Sequence, residues 1–295
     1  LPESNFELLI LNFELPQGVR MRSNGIITLT TDFGLADSYV GTIKGVILGI
    51  APEARIVDIT HDINPQNTHQ AAYIVQTFPG YFPSGTIHMV IIDPTVGSER
   101  RAIAFGTPEA IFVAPDNGVL TYVWRDALER WGPEECHVIE LAASRFWLPR
   151  VSRTFHGRDV FAPVVAHLAR GVALEALGPR LPQLLEADLE QPADGRTGGM
   201  VGRIIHVDHF GNCVTNITPR HLEEYGMGEQ IVVQIIDQRI AGLSQTFSDV
   251  SVGALAALIG STEHLELAVR NGSAAQTLGV EIGDIVRVYS GREVA

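Results

Sequence analysis

The amino-acid sequence predicts two domains, an α/β domain with a mainly parallel sheet followed by a smaller β-rich domain. Three observations lead there. At 295 residues the chain exceeds the usual size of one domain. From Gly25 through Leu168, β-branched runs alternate with helical periods, the pattern of strands joined by crossover helices. After Met200 the texture changes to short β-rich runs, VGRIIHVDHFGNCVTNI, QIVVQIIDQRIAGL, HLELAVRNGS and DIVRVYS, separated by turn residues at barrel or sandwich spacing.

Taken in order, residues 1–24 share no period with the rest of the chain and read as an extension or packing arm. Acids interrupt their apolar run and no small-residue cleavage site follows a basic start, so they do not read as a signal peptide. The run Ile26–Thr31 is a strand that ends at Asp32-Phe33-Gly34, and Asp37-Ser38 can cap a helix over Tyr39–Ile50. Val40, Ile43, Ile47 and Ile50 recur three or four apart, the stripe with which a helix covers a sheet. Pro52 stops that helix and Arg55–Thr60 is the second strand. Asn67 or Thr68 caps the next helix, which runs through Ala71, Ala72, Ile74 and Val75 until Pro79-Gly80 and Pro83-Ser84-Gly85 end it.

Residues 87–92, rich in Ile, Val and Met, have the composition of a buried parallel strand. Residues 101–105 and 110–114 read as paired short strands, and Pro115-Asp116-Asn117-Gly118 as a turn. Between 124 and 153 the pattern weakens and no element is assigned. TFHGRD at 154–159 opens a helix through Val164, Val165, His167 and Leu168, with Pro163 tolerated in a first turn. The Pro-, acid- and Gly-rich stretch 179–196 marks the boundary, which gives an extension at 1–24, an α/β domain at 25–190 and a β-rich domain at 197–295.

Composition excludes several classes. No apolar run reaches the length of a membrane span. A net charge of −13 argues against a general nucleic-acid binder and is compatible with a cationic or neutral small substrate. Two cysteines, Cys136 and Cys213, without a CxxC pair, argue against a disulfide framework or thiolate zinc site and fit a reducing cytoplasm. Neither a G-x-G-x-x-G after the first strand nor a G-x-x-x-x-G-K-[ST] occurs, so nucleotide-phosphate binding by those loops is unsupported.

The candidate chemistry gathers at strand ends. IIDPTVGSERR at 91–101 runs an apolar strand into a loop that carries Asp93, Arg100 and Arg101. Asp32, Asp58 and Asp116 also follow strands. A lone Asp-Pro is most simply a turn acid neutralised by a nearby Arg, and Asp32 serves equally well as a turn residue or as a holder of ribose hydroxyls. His156 stands before a helix start, where an imidazole can be aimed into a cleft. Asp208, Phe210, Gly211 and Asn212 form a turn between strands, in which an aromatic, an acid and an amide would suit a heterocyclic base. Asp58, His61 and Asp62 offer a rival metal centre, against which His61 and Asp62 alternate along an extended segment.

Seven ordered motifs, TTDFG at 30–34, DITH at 58–61, IDPTVGSERRA at 92–102, PDNG at 115–118, TFHGRD, DHFGN at 208–212 and NGSAA at 271–275, carry a resemblance. The chain resembles the S-adenosyl-L-methionine (SAM) hydroxide adenosyltransferases, or SAM hydrolases, relatives of the fluorinase and chlorinase enzymes. The likeness runs from about Gly25 to the C-terminus. It implies an α/β domain, a β-barrel-like second domain and a homotrimer whose sites lie between one subunit's first domain and its neighbour's second. It places the catalytic set on Asp93, Arg100 and His156, the ribose on Asp32, and further substrate contacts on Thr154, Phe155, Asp208, Phe210, Asn212 and Ser261. No metal and no cofactor is implied.

The chemistry agrees with that set. A sulfonium departs as neutral methionine, so substitution at ribose C5′ needs neither an acid on sulfur nor a metal. Water is the difficult partner, and it must be held in line and relieved of a proton. Asp93 can accept its hydrogen bond, Arg100 can favour hydroxide character, and His156 can orient it or take the proton. The halogenase branch has uncharged residues where Asp93 and His156 stand, and a carboxylate would repel an incoming halide. A metal-dependent phosphoesterase or amidohydrolase built on Asp58, His61 and Asp62, and a non-catalytic SAM or adenosine sensor, are the readings from other classes.

Overall fold

Strand β1 (Ile26–Thr31) lies between two parallel neighbours, β2 (Arg55–Thr60) and β3 (Thr86–Ile91). The computed structural model describes residues 23–195, 199–227 and 230–290, so most of the extension expected at 1–24 lies outside the described residues. Helix α1 (Tyr39–Ile50) joins β1 to β2, and α2 (Thr68–Gln76) joins β2 to β3. The chain continues through β4 (Ala102–Gly106), β5 (Ala110–Pro115), α3 (Thr121–Trp131), β6 (His137–Glu140), α4 (Ala162–Ala169) and β7 (Arg180–Leu181). The sheet order is β2-β1-β3-β5-β4-β6-β7. Strands β1, β2, β3 and β5 are mutually parallel, β4 is antiparallel to β5, and β6 antiparallel to β4, so five of the seven strands run one way.

Both faces of this sheet are covered, which is why β3 is buried along its whole length. Ile43 and Ile47 of α1 pack with Val164, Val165 and Leu168 of α4 on one face. Ala71 and Val75 of α2 pack with Val123, Trp124 and Ala127 of α3 on the other. The expected bounds of β1, α1 and β2 agree with the structure, and Asn67 caps α2 by accepting from the Gln70 N–H at 2.9 Å. Three readings differ. Ser38 occupies the cap position of α1 with helical dihedrals, so its side chain makes no capping bond. The unassigned stretch contains most of α3 and all of β6; Leu120, at the cap position of α3, offers no capping side chain. The helix opened by TFHGRD begins as a π-turn over Gly157–Phe161, and Pro163 falls in the first turn of α4.

The second sheet contains β8 (Ala193–Asp194), β9 (Met200–Val207), β10 (Cys213–Thr215), β11 (Ile231–Ile235), β12 (Gln238–Ala241), β13 (Leu255–Ile259), β14 (Leu265–Val269) and β15 (Ile285–Ser290). Helices α5 (Pro219–Glu224) and α6 (Ala274–Leu278) are its short connections. The ladders between these strands are antiparallel, in the order β12-β11-β15-β9-β10-β14-β13. Ser244, beyond β12, bonds across to Ala257 of β13 at 2.7 Å, so the sheet nearly closes on itself as a barrel around Met200, Ile204, Val233, Leu265 and Val286. Among the described residues no helix is long and apolar enough to cross a membrane.

Candidate active site

The strand order reverses at β1, since the connection from β1 leads to one side of it and the connection from β2 to the other. Sheets of this kind open a crevice outside the carboxyl ends of their strands at such a point. Asp32 and Asp93 leave the two strands that flank it, where Thr31 of β1 pairs with Ile91 of β3. Asn117 of the PDNG turn donates to the Ile92 carbonyl at 2.8 Å and pins the backbone one residue before Asp93.

Arg100 then closes the loop. Its Nε donates to Asp93 Oδ1 at 2.7 Å, its Nη2 to Oδ2, and the same Nη2 meets His156 Nδ1 at 3.1 Å. The guanidinium lies 5.5 Å from the Phe161 ring centroid. The Asp93 and Arg100 side chains are each only 7% exposed, so their charge-assisted bonds form where water is largely excluded. Gly97 makes the meeting with His156 feasible. At φ 81° it is in the left-handed region, and a Cβ there would collide with the Arg153 carbonyl oxygen. The acid's loop can lie against the histidine's loop only without that side chain.

The loop that carries His156 is anchored by Asp159. Asp159, fully buried, accepts from Ser152 N–H at 2.8 Å and from Arg158 at 2.6 and 3.0 Å, while Leu148 N–H donates to the Asp159 carbonyl at 2.9 Å. Burial opposes the Asp159 charge, but the Arg158 and Ser152 bonds outweigh it and hold the carboxyl below its ordinary range. Burial and the Arg100 charge push His156 below its ordinary value, against the pull of Asp93, Asp159 and a backbone hydrogen bond at Ser152. A guanidinium only donates, so Nδ1 is the acceptor of the Arg100 bond and the neutral ring carries its proton on Nε2. The cluster therefore presents a carboxylate with spare lone pairs, a fixed positive charge and an imidazole.

The remaining expected residues fall into two groups. Asp32 Oδ2 accepts from Gln66 N–H at 2.7 Å; Gln66, at φ 65°, is a contact the sequence did not signal. Phe155 packs edge-on against Phe33 and Tyr39 at 6.0 and 5.2 Å, and Thr154 is exposed beside it. In the second domain Asp208 organises its own turn, accepting from Phe210 N–H, Asn212 N–H and Asn212 Nδ2 at 2.8 to 2.9 Å. Gly211 packs so closely on Ser273 that the DHFGN and NGSAA motifs meet there, and Ala275 N–H donates to the Gly211 carbonyl. Phe210 is 73% exposed and Ser261 is exposed. Among the described residues no hydrogen bond or ion pair joins Asp208, Phe210, Asn212 or Ser261 to Asp32, Asp93, Arg100 or His156.

Two other strand-end acids are occupied elsewhere. Asp116 is buried between Arg101 and the Leu185 N–H. Asp58 pairs with Lys44 at 2.6 Å and lies 3.1 Å from His61 Nε2, while His61 Nδ1 bonds Thr31 Oγ1 and Asp62 is exposed. The donors of the rival metal reading are thus committed to an ion pair and a strand hydroxyl. Among the described residues no three His, Cys, Asp or Glu side chains come together as a cation site.

A doubly wound sheet with a polar cluster at its switch point, joined to a small barrel, defines a two-domain α/β enzyme. The chain belongs to the SAM hydroxide adenosyltransferase family, whose N-terminal domain matches residues 27–178 and C-terminal domain residues 202–287. It is 38% identical over 276 residues to the (R)-S-adenosyl-L-methionine hydrolase of Salinispora arenicola, covering 92% of this chain and 100% of that one. A fluorinase of Nocardia brasiliensis is 29% identical, covering 90% and 97%. The crystal structure of an uncharacterized conserved protein from Thermotoga maritima superposes with a TM-score of 0.80 at 35% identity, covering 89% of this chain and 99% of that one.

Proposed function

We propose that this chain hydrolyses S-adenosyl-L-methionine to adenosine and L-methionine, without metal or cofactor, by attack of water on ribose C5′. The observation that carries the reading is the bonded cluster of Asp93, Arg100 and His156 at the switch point. The hydrolase name of the Salinispora arenicola relative supports it.

Water adds to C5′ from the side opposite sulfur. The C5′–O bond forms, the C5′–S bond breaks, and its electron pair neutralises the sulfonium as methionine leaves. Arg100 stabilises the hydroxide character that grows on the attacking oxygen, and His156 Nε2–H orients it as a donor. With His156 in the donor tautomer, Asp93 is the group left to accept the proton, which then passes to solvent. Its negative charge disfavours a halide at the same position. Asp32 keeps Oδ1 for the ribose hydroxyls. Asp208, Phe210, Asn212 and Ser261 enclose the methionine and adenine groups from a neighbouring subunit of a homotrimer, a reading that the exposure of Phe210 supports. The proposed division is an extension at 1–24, an α/β domain at 25–190 and a β-rich domain at 197–295, in a cytoplasmic protein.

Purified protein incubated with SAM, alone, with EDTA and with chloride, and analysed by chromatography, tests the reading. Equal amounts of adenosine and methionine in all three arms are expected. A chelator-sensitive rate or a 5′-chloro product would contradict it, and binding without product would point to a sensor.

A further inference from the structure

The TTDFG and DITH motifs meet through side chains as well as through their strands, and every residue of that meeting belongs to the first domain. The β1–β2 ladder pairs Leu29 with Asp58 but Thr30 with Thr60, so Ile59 is an extra residue on β2. Asp58 and His61, three apart, would face opposite ways on a regular strand. The bulge turns them to one side, where His61 Nε2 lies 3.1 Å from Asp58 Oδ1. Lys44 of α1 holds the other carboxylate oxygen at 2.6 Å. Burial opposes the Asp58 charge, but Lys44 and His61 outweigh it and keep the carboxyl below its ordinary range. The other side of the imidazole reaches into the sheet. His61 Nδ1 bonds Thr31 Oγ1 at 2.8 Å, with His61 4% and Thr31 1% exposed. Thr31 Oγ1 also accepts from the Phe33 N–H at 3.3 Å, and the His61 carbonyl accepts from the Gly34 N–H at 2.8 Å. These bonds bracket Asp32, which stands between Thr31 and Phe33 and accepts from the Gln66 N–H.

We infer that His61 is a positioning residue for the ribose-binding carboxylate, aiming Asp32 through Thr31 and the turn that follows, while Asp58 and Lys44 hold the ring from the solvent side. The inference rests on the hydrolase reading and on Asp32 as the acid that takes the ribose hydroxyls. A carboxylate that accepts two hydroxyls at once must be held within about 0.5 Å of its working geometry by neighbours that are themselves locked. His61 meets that need, since its ring is engaged at both nitrogens and a buried Thr31 hydroxyl left without its partner would cost free energy. Among the described residues no hydrogen bond or ion pair joins Thr31, Asp58 or His61 to Asp93, Arg100 or His156, so the chemical step should continue when this clamp is cut.

The test measures steady-state hydrolysis of SAM and of its 2′-deoxyribose analogue by wild type, His61→Leu, Thr31→Val, their double variant, His61→Asn and Asp32→Ala, with thermal melting as the control for folding. Wild type should prefer SAM, and Asp32→Ala should lose that preference. His61→Leu and Thr31→Val should each raise KM for SAM by about tenfold, as the loss of one buried hydrogen bond allows, with kcat changed by less than about threefold. Each should also weaken the preference for SAM over the deoxy analogue by about threefold or more, which a loss of stability alone would not do. The double variant should be no worse than the poorer single one, because both cut the same bond. His61→Asn, whose amide can reach Thr31 but not Asp58, should recover most of the loss. An unchanged KM or an unchanged preference in a folded His61→Leu or Thr31→Val variant would overturn the inference, and so would additive losses in the double. Should His61→Leu fail to fold, Thr31→Val alone decides. A wild type without the preference, or an Asp32→Ala variant that keeps it, would overturn the ribose assignment, whereas a wild type that makes no adenosine would overturn the hydrolase reading; the inference falls with either.

Discussion

Arg100→Met removes the residue that joins the acid to the imidazole, and its consequences can be worked from the geometry. Asp93 loses two charge-assisted hydrogen bonds and His156 loses one. Truncating one partner of so buried a pair costs about 3–5 kcal/mol, because the carboxylate keeps its 7% exposure without its counter-charge. Losing a group that stabilises the attacking oxygen lowers kcat/KM by about 10²–10³-fold. His156 should respond in a definite direction. Burial and Arg100 now hold it low; without Arg100 only burial opposes Asp93 and Asp159, so its titration should move upward. Denaturant melts, adenosine formation and NMR titration of the histidine Cε1 proton measure the three effects separately. A variant with kcat/KM within threefold of wild type and an unmoved His156 titration would refute the assignment of Arg100 as the hub.

Asp159→Asn should act on the same imidazole with the opposite sign, lowering its titration because a carboxylate that raises it is lost, and NMR of the two variants side by side checks this. Gly97→Ala should reduce turnover at least tenfold while leaving the barrel intact, since its Cβ would collide with the Arg153 carbonyl and part the two catalytic loops; steady-state kinetics and near-UV circular dichroism measure it. His88, fully buried on β3, is pushed down to about 4 by burial. The unfolded chain therefore takes up the extra proton first, so stability is complete above about pH 6.5 and falls as pH drops toward 4. The loss is about 3 kcal/mol, at about 1.36 kcal/mol for each pH unit of that gap. Urea melts at pH 7.5 and 4.5 should show it, and His88→Gln should flatten it.

The local elements were legible where one signal sufficed. The stripe of Val40, Ile43 and Ile47 and the stop at Pro52 define α1, and β-branched runs define β1 and β2. Helix α3 was not, because Leu120 supplies no cap and Trp131-Gly132-Pro133 looks like loop punctuation from one side only. A local signal also misled, since Ser38 has the chemistry of a cap but the dihedrals of a helix. Asp93 and Arg100 are seven residues apart and could be paired by eye, whereas His156 is 56 residues beyond Arg100. Its approach depends on Gly97 passing under the Arg153 carbonyl, which no local pattern announces. The Gln70 to His206 and Tyr73 to Thr262 contacts join residues of different domains and become visible only when both sheets are built.

The central claim is that water attacks C5′ under the control of Asp93. Hydrolysis of SAM in water enriched in oxygen-18, followed by mass spectrometry of both products, tests it most directly. The account predicts adenosine carrying one heavy oxygen at its 5′ position, unlabelled methionine, and loss of the labelled product in Asp93→Ala. Adenosine without label, or full activity in the Asp93 variant, would contradict it.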